Sequence, residues 1–192
     1  DPLVPRDISS PGAMIYTSGT TGRPKGVRRK SGPPDEMDNL YETINQAFDI
    51  GPGKRTIIPA PLYHSAPNTY GILCVVMGMD EMVLMPRFDP EDLLRLIEKH
   101  KTTHLQTVPT MFIRMLKLPE EQRAKYDVSS LEFVVHAAAP CPPDIKQQMI
   151  DWWGPIINEY YGATEGGAVS FLESNQWLGH RGSVGKAMKN CE

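Results

Sequence analysis

Short apolar runs alternate with segments of helical periodicity along most of this chain, and this alternation constrains the fold more than any other feature. The runs have the length of β-strands and lie at 13–16, 56–59, 82–85, 104–108, 131–136 and 156–161. Strands that alternate with helices are typical of a parallel sheet covered by helices. The sequence therefore predicts an α/β fold with a mostly parallel sheet layered with helices.

Three helices are predicted from their periodicity and their terminal residues. The clearest covers 89–100, because Asp89 can cap the first turn and Pro90 suits the first helical position. Two others are predicted over 36–48 and over 143–153, each followed by a turn rich in glycine and proline. Most of the 18 prolines and 16 glycines lie between these elements, which indicates shaped loops and not disorder.

Composition argues against several classes of protein. The 20 Lys and Arg residues nearly balance the 23 Asp and Glu residues, so no general positive field would attract nucleic acid. No apolar run reaches the ~20 residues of a transmembrane helix. Cys74, Cys141 and Cys191 form no CxxC pattern, which indicates reduced thiols in a cytoplasmic protein without a zinc site.

A loop rich in glycine and hydroxyl groups follows the first apolar run and reads YTSGTTGRPKG over 16–26. Gly19 and Gly22 allow backbone angles that aim successive N–H groups at one point, and such a concavity suits phosphate. Lys25 adds one positive charge. The spacing does not match a Walker-type loop, and no G-x-G-x-x-G pattern occurs in the chain. A flexible linker is the alternative interpretation of this composition.

The loop resembles the signature loop of the AMP-binding, adenylate-forming superfamily of acyl-CoA synthetases, luciferases and peptide-synthetase adenylation domains. Four further motifs of that family follow in order, namely PLYH at 61–64, AAAP at 137–140, EYYGATE at 159–165 and GSVGK at 182–186. The resemblance implies that 1–192 is one core fragment of the family's large N-terminal domain. We expect the family's N-terminal portion and C-terminal lid domain to be absent, and the fragment alone to be weak or inactive.

The resemblance implies which residues bind the nucleotide. They are Thr17, Ser18, Gly19, Thr20, Thr21, Gly22, Lys25, Ala137, Ala138, Ala139, Pro140, Tyr160, Tyr161, Gly162, Ala163 and Thr164. In this scheme the ring of Tyr161 stacks on the base, Thr164 donates to the α-phosphate and Glu165 holds Mg²⁺. The expected ligands are ATP and Mg²⁺, with CoA as co-substrate.

The resemblance also implies catalytic roles for His64, Thr164 and Glu165. The implied reaction is the attack of a carboxylate on the α-phosphate of ATP, followed by transfer of the acyl group to CoA. We expect His64 to orient the substrate carboxylate, since a carboxylate is already ionised at neutral pH and needs no base. A lone histidine is more often structural, and for His136, directly before the Ala-rich motif, packing and a role in the site are equally compatible with the sequence.

The acid is expected to be a fatty or other apolar acid, because 71–77 is aliphatic and small residues occupy 137–139 and 166–167. An amino-acid substrate would require a buried carboxylate for its ammonium group, and Asp80 and Glu81 are candidates by residue type only. The alternatives are an amino-acid or aryl-acid adenylation domain and a non-catalytic ATP-binding module.

Two segments depart from the family pattern or from its usual context. Ala137 and Ala138 stand where relatives often have glycine, so the shape of that wall of the site is expected to differ. The basic run 28–30 is interpreted as a solvated edge, with a contact to the phosphates of CoA as the alternative.

Overall fold

Strands and helices alternate in the computed structural model as the periodicity predicts, over the residues that it describes, which are 14–17, 23–28, 37–189 and 191. In chain order the elements are β1 Met14–Thr17, β2 Lys25–Arg28, α1 Met37–Phe48, β3 Arg55–Ile58, α2 Ser65–Val76, β4 Glu81–Leu84, α3 Pro90–His100, β5 His104–Thr107, α4 Pro109–Leu116, α5 Glu120–Arg123, β6 Phe133–His136, α6 Pro143–Trp153, β7 Ile157–Ala163, β8 Gly167–Leu172, α7 Ser174–Gly179 and β9 Lys186–Ala187.

The described strands form a seven-stranded sheet in the order β4-β3-β5-β6-β7-β8-β9, together with a separate pair, β1 and β2. Strands β3 to β7 pair in parallel, whereas β8 and β9 run antiparallel to their neighbours. The prediction of a mostly parallel α/β sheet is confirmed. The strand order reverses between β3 and β5, and such a switch point is where open α/β sheets place their ligands.

Each face of the sheet carries its own hydrophobic core. Successive residues of a strand point to opposite faces, so Val134 packs in one core and Val135 in the other. The first core also contains residues of α3, α4, α6 and α7, and the second contains residues of α1 and α2. We call these the α3 face and the α1 face of the sheet.

Helix α3 shows the capping that its sequence predicts. The Oδ1 atom of Asp89 accepts a hydrogen bond from the backbone N–H of Asp92 at 2.9 Å. The carboxylate of Asp92 binds Arg95, one turn further on, at 2.6 Å. Leu93 and Ile97 are fully buried, so the cap directs the apolar side of the helix onto the sheet.

Two other helices differ in how well the sequence anticipates them. Helix α6 has the predicted bounds and ends at Gly154, whose φ is 87°. Helix α2 is not among the three predicted helices, and it contains most of the aliphatic segment 71–77. Its Tyr70 and Cys74 are buried, but its Val75 and Val76 are exposed. No helix in the described part of the chain is long and apolar enough to cross a membrane.

Candidate active site

A cavity of about 510 Å³ lies on the α1 face of the sheet. Six of the residues that the sequence assigns to nucleotide binding line it, namely Ala137, Ala138, Tyr160, Gly162, Ala163 and Thr164. The rest of the wall comes mainly from the two helices of this face, through Thr43, Ile44, Ala47, Phe48, Ser65, Ala66, Thr69 and Leu73. Two motifs that are distant in sequence, AAAP and EYYGATE, therefore line the same cavity. The two helices that complete its wall contain none of the residues that the sequence assigns to nucleotide binding.

The sheet explains why these motifs converge. Strands β6 and β7 are parallel neighbours, and His136 pairs with Glu159 in their register. Because both strands run in the same direction, the residues that follow them meet at the same edge of the sheet. The Ala-rich turn follows β6, and the EYYGATE motif continues along β7 into the turn before β8.

The hydroxyl groups of Ser65 and Thr164 lie 3.3 Å apart, although 99 residues separate them in sequence. Ser65 is the first residue of α2, and His64 is its N-cap residue, with φ −81° and ψ 148°. The His64 side chain makes no capping hydrogen bond and is exposed, with its ring 4.5 Å from that of Tyr63. The PLYH and EYYGATE motifs are thus adjacent, as their assignment to one site requires.

Gly162 is required by the close approach of β7 and β8. A Cβ atom at this position would lie 2.1 Å from the carbonyl oxygen of Gly167. The strand pairing is also irregular between Tyr161 and Gly162, which locally changes the direction of β7. The turn after β7 places Thr164 in the cavity wall. Glu165, the next residue in the sequence, is exposed.

Tyr160 and Tyr161, which the sequence treats alike, have different surroundings. Tyr160 is 8% exposed, packs edge-on against Phe48 and accepts a hydrogen bond from Gln106 at 3.4 Å. Burial raises the pKa of its phenol, so it is neutral at physiological pH. Tyr161 is 59% exposed and does not line the cavity. Tyr160 is therefore part of the wall, whereas the ring of Tyr161 is accessible for stacking.

The Ala-rich turn contains one residue in an unusual conformation. Ala138 has φ 76°, in the left-handed region that favours glycine, and it lines the cavity together with the buried Ala137. Ala139 and Pro140 are exposed and lie outside the lining. The departure from glycine at 138 thus places a methyl group in the wall at the cost of backbone strain.

His136 is buried on the α3 face, away from the cavity. Its ring is fully buried and lies edge-on to Phe112 at 5.5 Å. Burial lowers its pKa well below the usual range for histidine, and the charge of Lys146 acts in the same direction. Of the two interpretations that the sequence leaves open, the structure supports packing, and the ring does not reach the cavity.

Asp80 and Glu81, the candidate carboxylates, have structural partners, and so do His100 and His104. His100 Nδ1 lies 2.7 Å from Glu81 Oε1, and Asp80 Oδ1 accepts a hydrogen bond from the N–H of Gly53. His104 is buried, with Nε2 at 3.1 Å from a carboxylate oxygen of Asp49. Neither Asp80 nor Glu81 lines the cavity, so neither is placed to meet an ammonium group there.

The hydroxyl-rich loop is described only at its two ends. Thr17 of β1 pairs with Lys25 of β2, so the two ends of the loop lie side by side, and Lys25 is exposed. Ser18, Gly19, Thr20, Thr21 and Gly22 fall outside the described residues. Within the described part of the chain, no three His, Cys, Asp or Glu side chains are grouped to hold a metal ion. Glu165 can still contribute one carboxylate to Mg²⁺, since this ion is usually bound by one or two carboxylates plus the phosphates of its substrate.

The residues that sequence reasoning missed are mainly those of α1. Thr43, Ile44, Ala47 and Phe48 belong to no motif, and nothing in the sequence says which helix covers the carboxyl ends of β6 and β7. Ser65 could have been anticipated, because it directly follows the PLYH motif.

Comparisons with known proteins give one consistent family. The sequence model described as AMP-binding enzyme matches residues 1–192. The long-chain-fatty-acid–CoA ligase of Bacillus subtilis is 32% identical over 178 residues, which are 90% of this chain and 30% of that protein. The mitochondrial medium-chain acyl-CoA ligase ACSF2 of Danio rerio is 34% identical over 161 residues, which are 81% of this chain and 26% of that protein. The chain therefore spans about a third or less of the length of these curated relatives.

A solved structure supports the same assignment. The o-succinylbenzoate-CoA synthetase MenE of Bacillus subtilis, in complex with its acyl-adenylate intermediate OSB-AMP, superposes with a TM-score of 0.76 at 28% identity. The match covers 96% of this chain and 46% of that chain. The fold and the sequence comparisons therefore indicate the same family.

Proposed function

Because this chain belongs to the AMP-binding enzyme family, we propose that it forms the acid- and nucleotide-binding core of an ATP-dependent acyl-CoA synthetase. A carboxylate oxygen of the acid attacks the α-phosphorus of ATP, forming an acyl-adenylate and releasing pyrophosphate. The thiol of CoA then attacks the acyl carbon, and AMP leaves. The matched ligases of Bacillus subtilis and Danio rerio are named for the same overall reaction.

The observation that carries this proposal is the contact between Ser65 and Thr164. It places the start of α2 beside the turn after β7, with both residues in the wall of one cavity. The helix N-terminus carries partial positive charge and favours an anion nearby. In the proposed complex the substrate carboxylate lies near this helix end, and the hydroxyl of Thr164 faces the α-phosphate.

The composition of the cavity favours an apolar acid. Its described lining contains hydroxyl, aromatic, aliphatic and glycine residues but no charged side chain. An ammonium or second carboxylate on the substrate would lose its hydration without gaining a charged partner there. The acyl chain of a fatty or other apolar acid would instead bury its methylene groups, each contributing about 0.8 kcal/mol.

The nucleotide is proposed to bind against the motif residues that line the cavity, such as Ala138 and Thr164, and to extend from there onto the exposed surface. The exposed ring of Tyr161 would stack on the base, next to the Ala-rich turn 137–140. The loop 17–22 and Lys25 would surround the β- and γ-phosphates. Glu165 would hold Mg²⁺, which supplies charge neutralisation for the triphosphate when bound.

His64 is proposed to position the acid and not to remove a proton. It caps α2 directly before Ser65, and its ring is free of a capping hydrogen bond. A hydrogen-bond donor that is held in place can align the carboxylate with the α-phosphorus. Alignment of two reactants can lower the activation free energy by up to about 7–11 kcal/mol. The acid itself is ionised at neutral pH, so no general base is needed.

The test is acid-dependent exchange of labelled pyrophosphate into ATP by the full polypeptide that carries this chain. Saturated acids of increasing length are compared with amino acids and aromatic acids. We expect exchange with apolar acids, and a loss on the order of tenfold to a hundredfold in Thr164→Val, which removes one hydroxyl group at nearly constant volume. Binding of ATP without exchange for any acid would instead identify a non-catalytic nucleotide-binding module, and exchange confined to amino acids or aryl acids would identify an adenylation domain of those classes.

A further inference from the structure

Three polar side chains meet in the interior on the α3 face, across the sheet from the cavity. Lys146 of α6 is fully buried, and its Nζ lies 2.8 Å from Oε2 of Glu159 in β7. The same carboxylate oxygen lies 3.4 Å from Nε2 of His136, the last residue of β6. None of the three side chains lines the cavity, so the proposed reaction does not use them directly.

Stability alone does not account for this group. Burial lowers the pKa of Lys146, and the nearby carboxylate of Glu159 acts against that shift. The ammonium also lies 5.1 Å from the centroid of the Trp177 ring, and His136 is neutral because burial lowers its pKa. Replacing a buried ion pair by well-packed apolar side chains is often neutral or stabilising, so this pair is weak evidence for a contribution to stability.

The position of Glu159 suggests another role. His136 directly precedes the turn 137–142, and Lys146 lies in the first turn of the helix that follows it. One carboxylate oxygen of β7 therefore binds the ammonium of Lys146 at one end of this turn and lies beside the neutral ring of His136, without a hydrogen bond to it, at the other. The neighbours of His136 and Glu159 along their strands, Ala137 and Tyr160, point to the opposite face and line the cavity.

The turn that is held in this way is strained. Ala138 has φ 76°, and a non-glycine residue keeps such a conformation only where its surroundings enforce it. The Ala138 methyl group is part of the cavity wall. A loss of the contacts at the ends of the turn would let Ala138 relax toward an ordinary conformation and would change the shape of the wall.

We propose that Lys146, Glu159 and His136 form a positioning clamp, which holds turn 137–142 in its strained conformation and so shapes the site for the acid. The effect of the clamp on catalysis rests on the proposed function. The effect on the turn itself does not, and it can be measured without a substrate.

The clamp is removed by Lys146→Met combined with Glu159→Leu in the full polypeptide. This double variant leaves no unpaired buried charge, so we expect it to fold with a melting temperature within a few degrees of the wild type. Lys146→Met alone leaves the carboxylate buried without its partner and is expected to melt at a clearly lower temperature. Hydrogen exchange of the amide at position 146, whose N–H donates to the carbonyl of Pro142 at the end of the turn, should be on the order of tenfold faster in the double variant, while that of Leu93 in α3 stays unchanged.

The catalytic readout is kcat/KM for the acid in pyrophosphate exchange. We expect the double variant to lose on the order of tenfold to a hundredfold, because small displacements of a binding wall strongly affect alignment. Ala138→Gly serves as the rescue, since glycine adopts this φ without strain. It should raise kcat/KM more in the double variant than in the wild type, a coupling that loss of stability alone would not produce.

The outcomes separate the clamp from the proposed function. Unchanged amide exchange in a folded double variant overturns the clamp, and so does unchanged kcat/KM. Equal effects of Ala138→Gly in both backgrounds overturn the role of the strained turn. A wild-type protein that exchanges no pyrophosphate refutes the proposed function, and amide exchange alone then decides whether the clamp holds the turn.

Discussion

At the scale of single residues, Gly162 has the most restricted position in the candidate site. A Cβ atom there would meet the backbone of Gly167, which cannot turn away as a side chain could. We expect Gly162→Ala to destabilise the protein by about 1–3 kcal/mol and to reduce pyrophosphate exchange, because the hairpin that carries Thr164 must shift. Thermal unfolding and exchange rates measure the two effects.

Gly166→Ala is the matched control for this prediction. It lies in the same hairpin, but the nearest atom to an added Cβ is Val169 Cγ1 at 3.9 Å, an ordinary contact. We expect it to unfold within about 0.5 kcal/mol of the wild type, as surface substitutions usually do. Equal destabilisation by both substitutions would show that the close approach at Gly162 is not the cause.

Buried histidines give the protein a pH-dependent stability. Burial lowers the pKa of His136 and of His104, although for His104 the carboxylate of Asp49 partly offsets the shift. A folded-state pKa below the unfolded value of about 6.5 means that the unfolded chain binds more protons as the pH falls, so stability is lost on acidification below this pH. Each buried neutral histidine contributes a slope of up to about 1.4 kcal/mol per pH unit.

This slope is measured by urea unfolding between pH 7.5 and pH 5. We expect the free energy of unfolding to be highest at the upper end and to fall below about pH 6.5. His136→Asn removes one titrating group and should make the dependence on pH shallower. An identical slope in His136→Asn would contradict the assignment of His136 as a buried neutral ring.

At the scale of elements, the sequence predicts those whose signals are local. Helix α3 is an example, because the cap at Asp89, the proline at the first position and the apolar face all lie within its own residues. Strands β2, β8 and β9 were missed, since β2 contains charged residues, β8 begins in glycine and small residues, and β9 has only two residues. These strands depend on pairing with a neighbouring strand and not on their own composition.

The candidate site also combines features that local sequence signals predict with features that they do not. The motif residues were predicted because each motif identifies itself, and the strand order then brings Ala137 and Tyr160 together. The contributions of α1 could not be predicted, because they depend on which helix covers which face of the sheet, and that arises from contacts between segments remote in sequence. The different surroundings of Tyr160 and Tyr161 agree with the alternation of side chains along the predicted strand.

The cap of α3 supports a prediction that concerns stability alone. Asp89→Ala removes the acceptor for the N–H of Asp92, and we expect a loss of about 1 kcal/mol in the free energy of unfolding. Asp89→Asn keeps an oxygen acceptor and should recover most of this loss. Because α3 packs on the face opposite the cavity, neither variant should change kcat/KM in pyrophosphate exchange. A change in kcat/KM in a fully folded variant would mean that the α3 face and the α1 face of the sheet are coupled through α3.

At the scale of the whole molecule, the surface of α2 bears on what the chain can do alone. Ile72, Val75 and Val76 are 55%, 66% and 66% exposed and lie on one helix. An exposed aliphatic patch of this kind is typical of a surface that packs against something else. The chain also spans only 30% of the Bacillus subtilis ligase that it matches. We therefore propose that further polypeptide covers this side of α2, which faces away from the buried Tyr70 and Cys74 and adjoins the side that lines the cavity.

The 192-residue chain alone should accordingly behave differently from the full polypeptide. We expect it to exchange pyrophosphate at least tenfold more slowly. Ser65 is the first residue of α2, and a helix without its lateral support would shift this residue relative to the reactants. Small shifts in the alignment of reactants lower the rate strongly. Val75→Gln with Val76→Gln should reduce self-association of the isolated chain in sedimentation velocity, yet lower the melting temperature of the full polypeptide, where the same side chains would be buried. Equal exchange rates in both proteins, or a full polypeptide that tolerates the double substitution, would show that the α2 surface is exposed to solvent in the intact enzyme too.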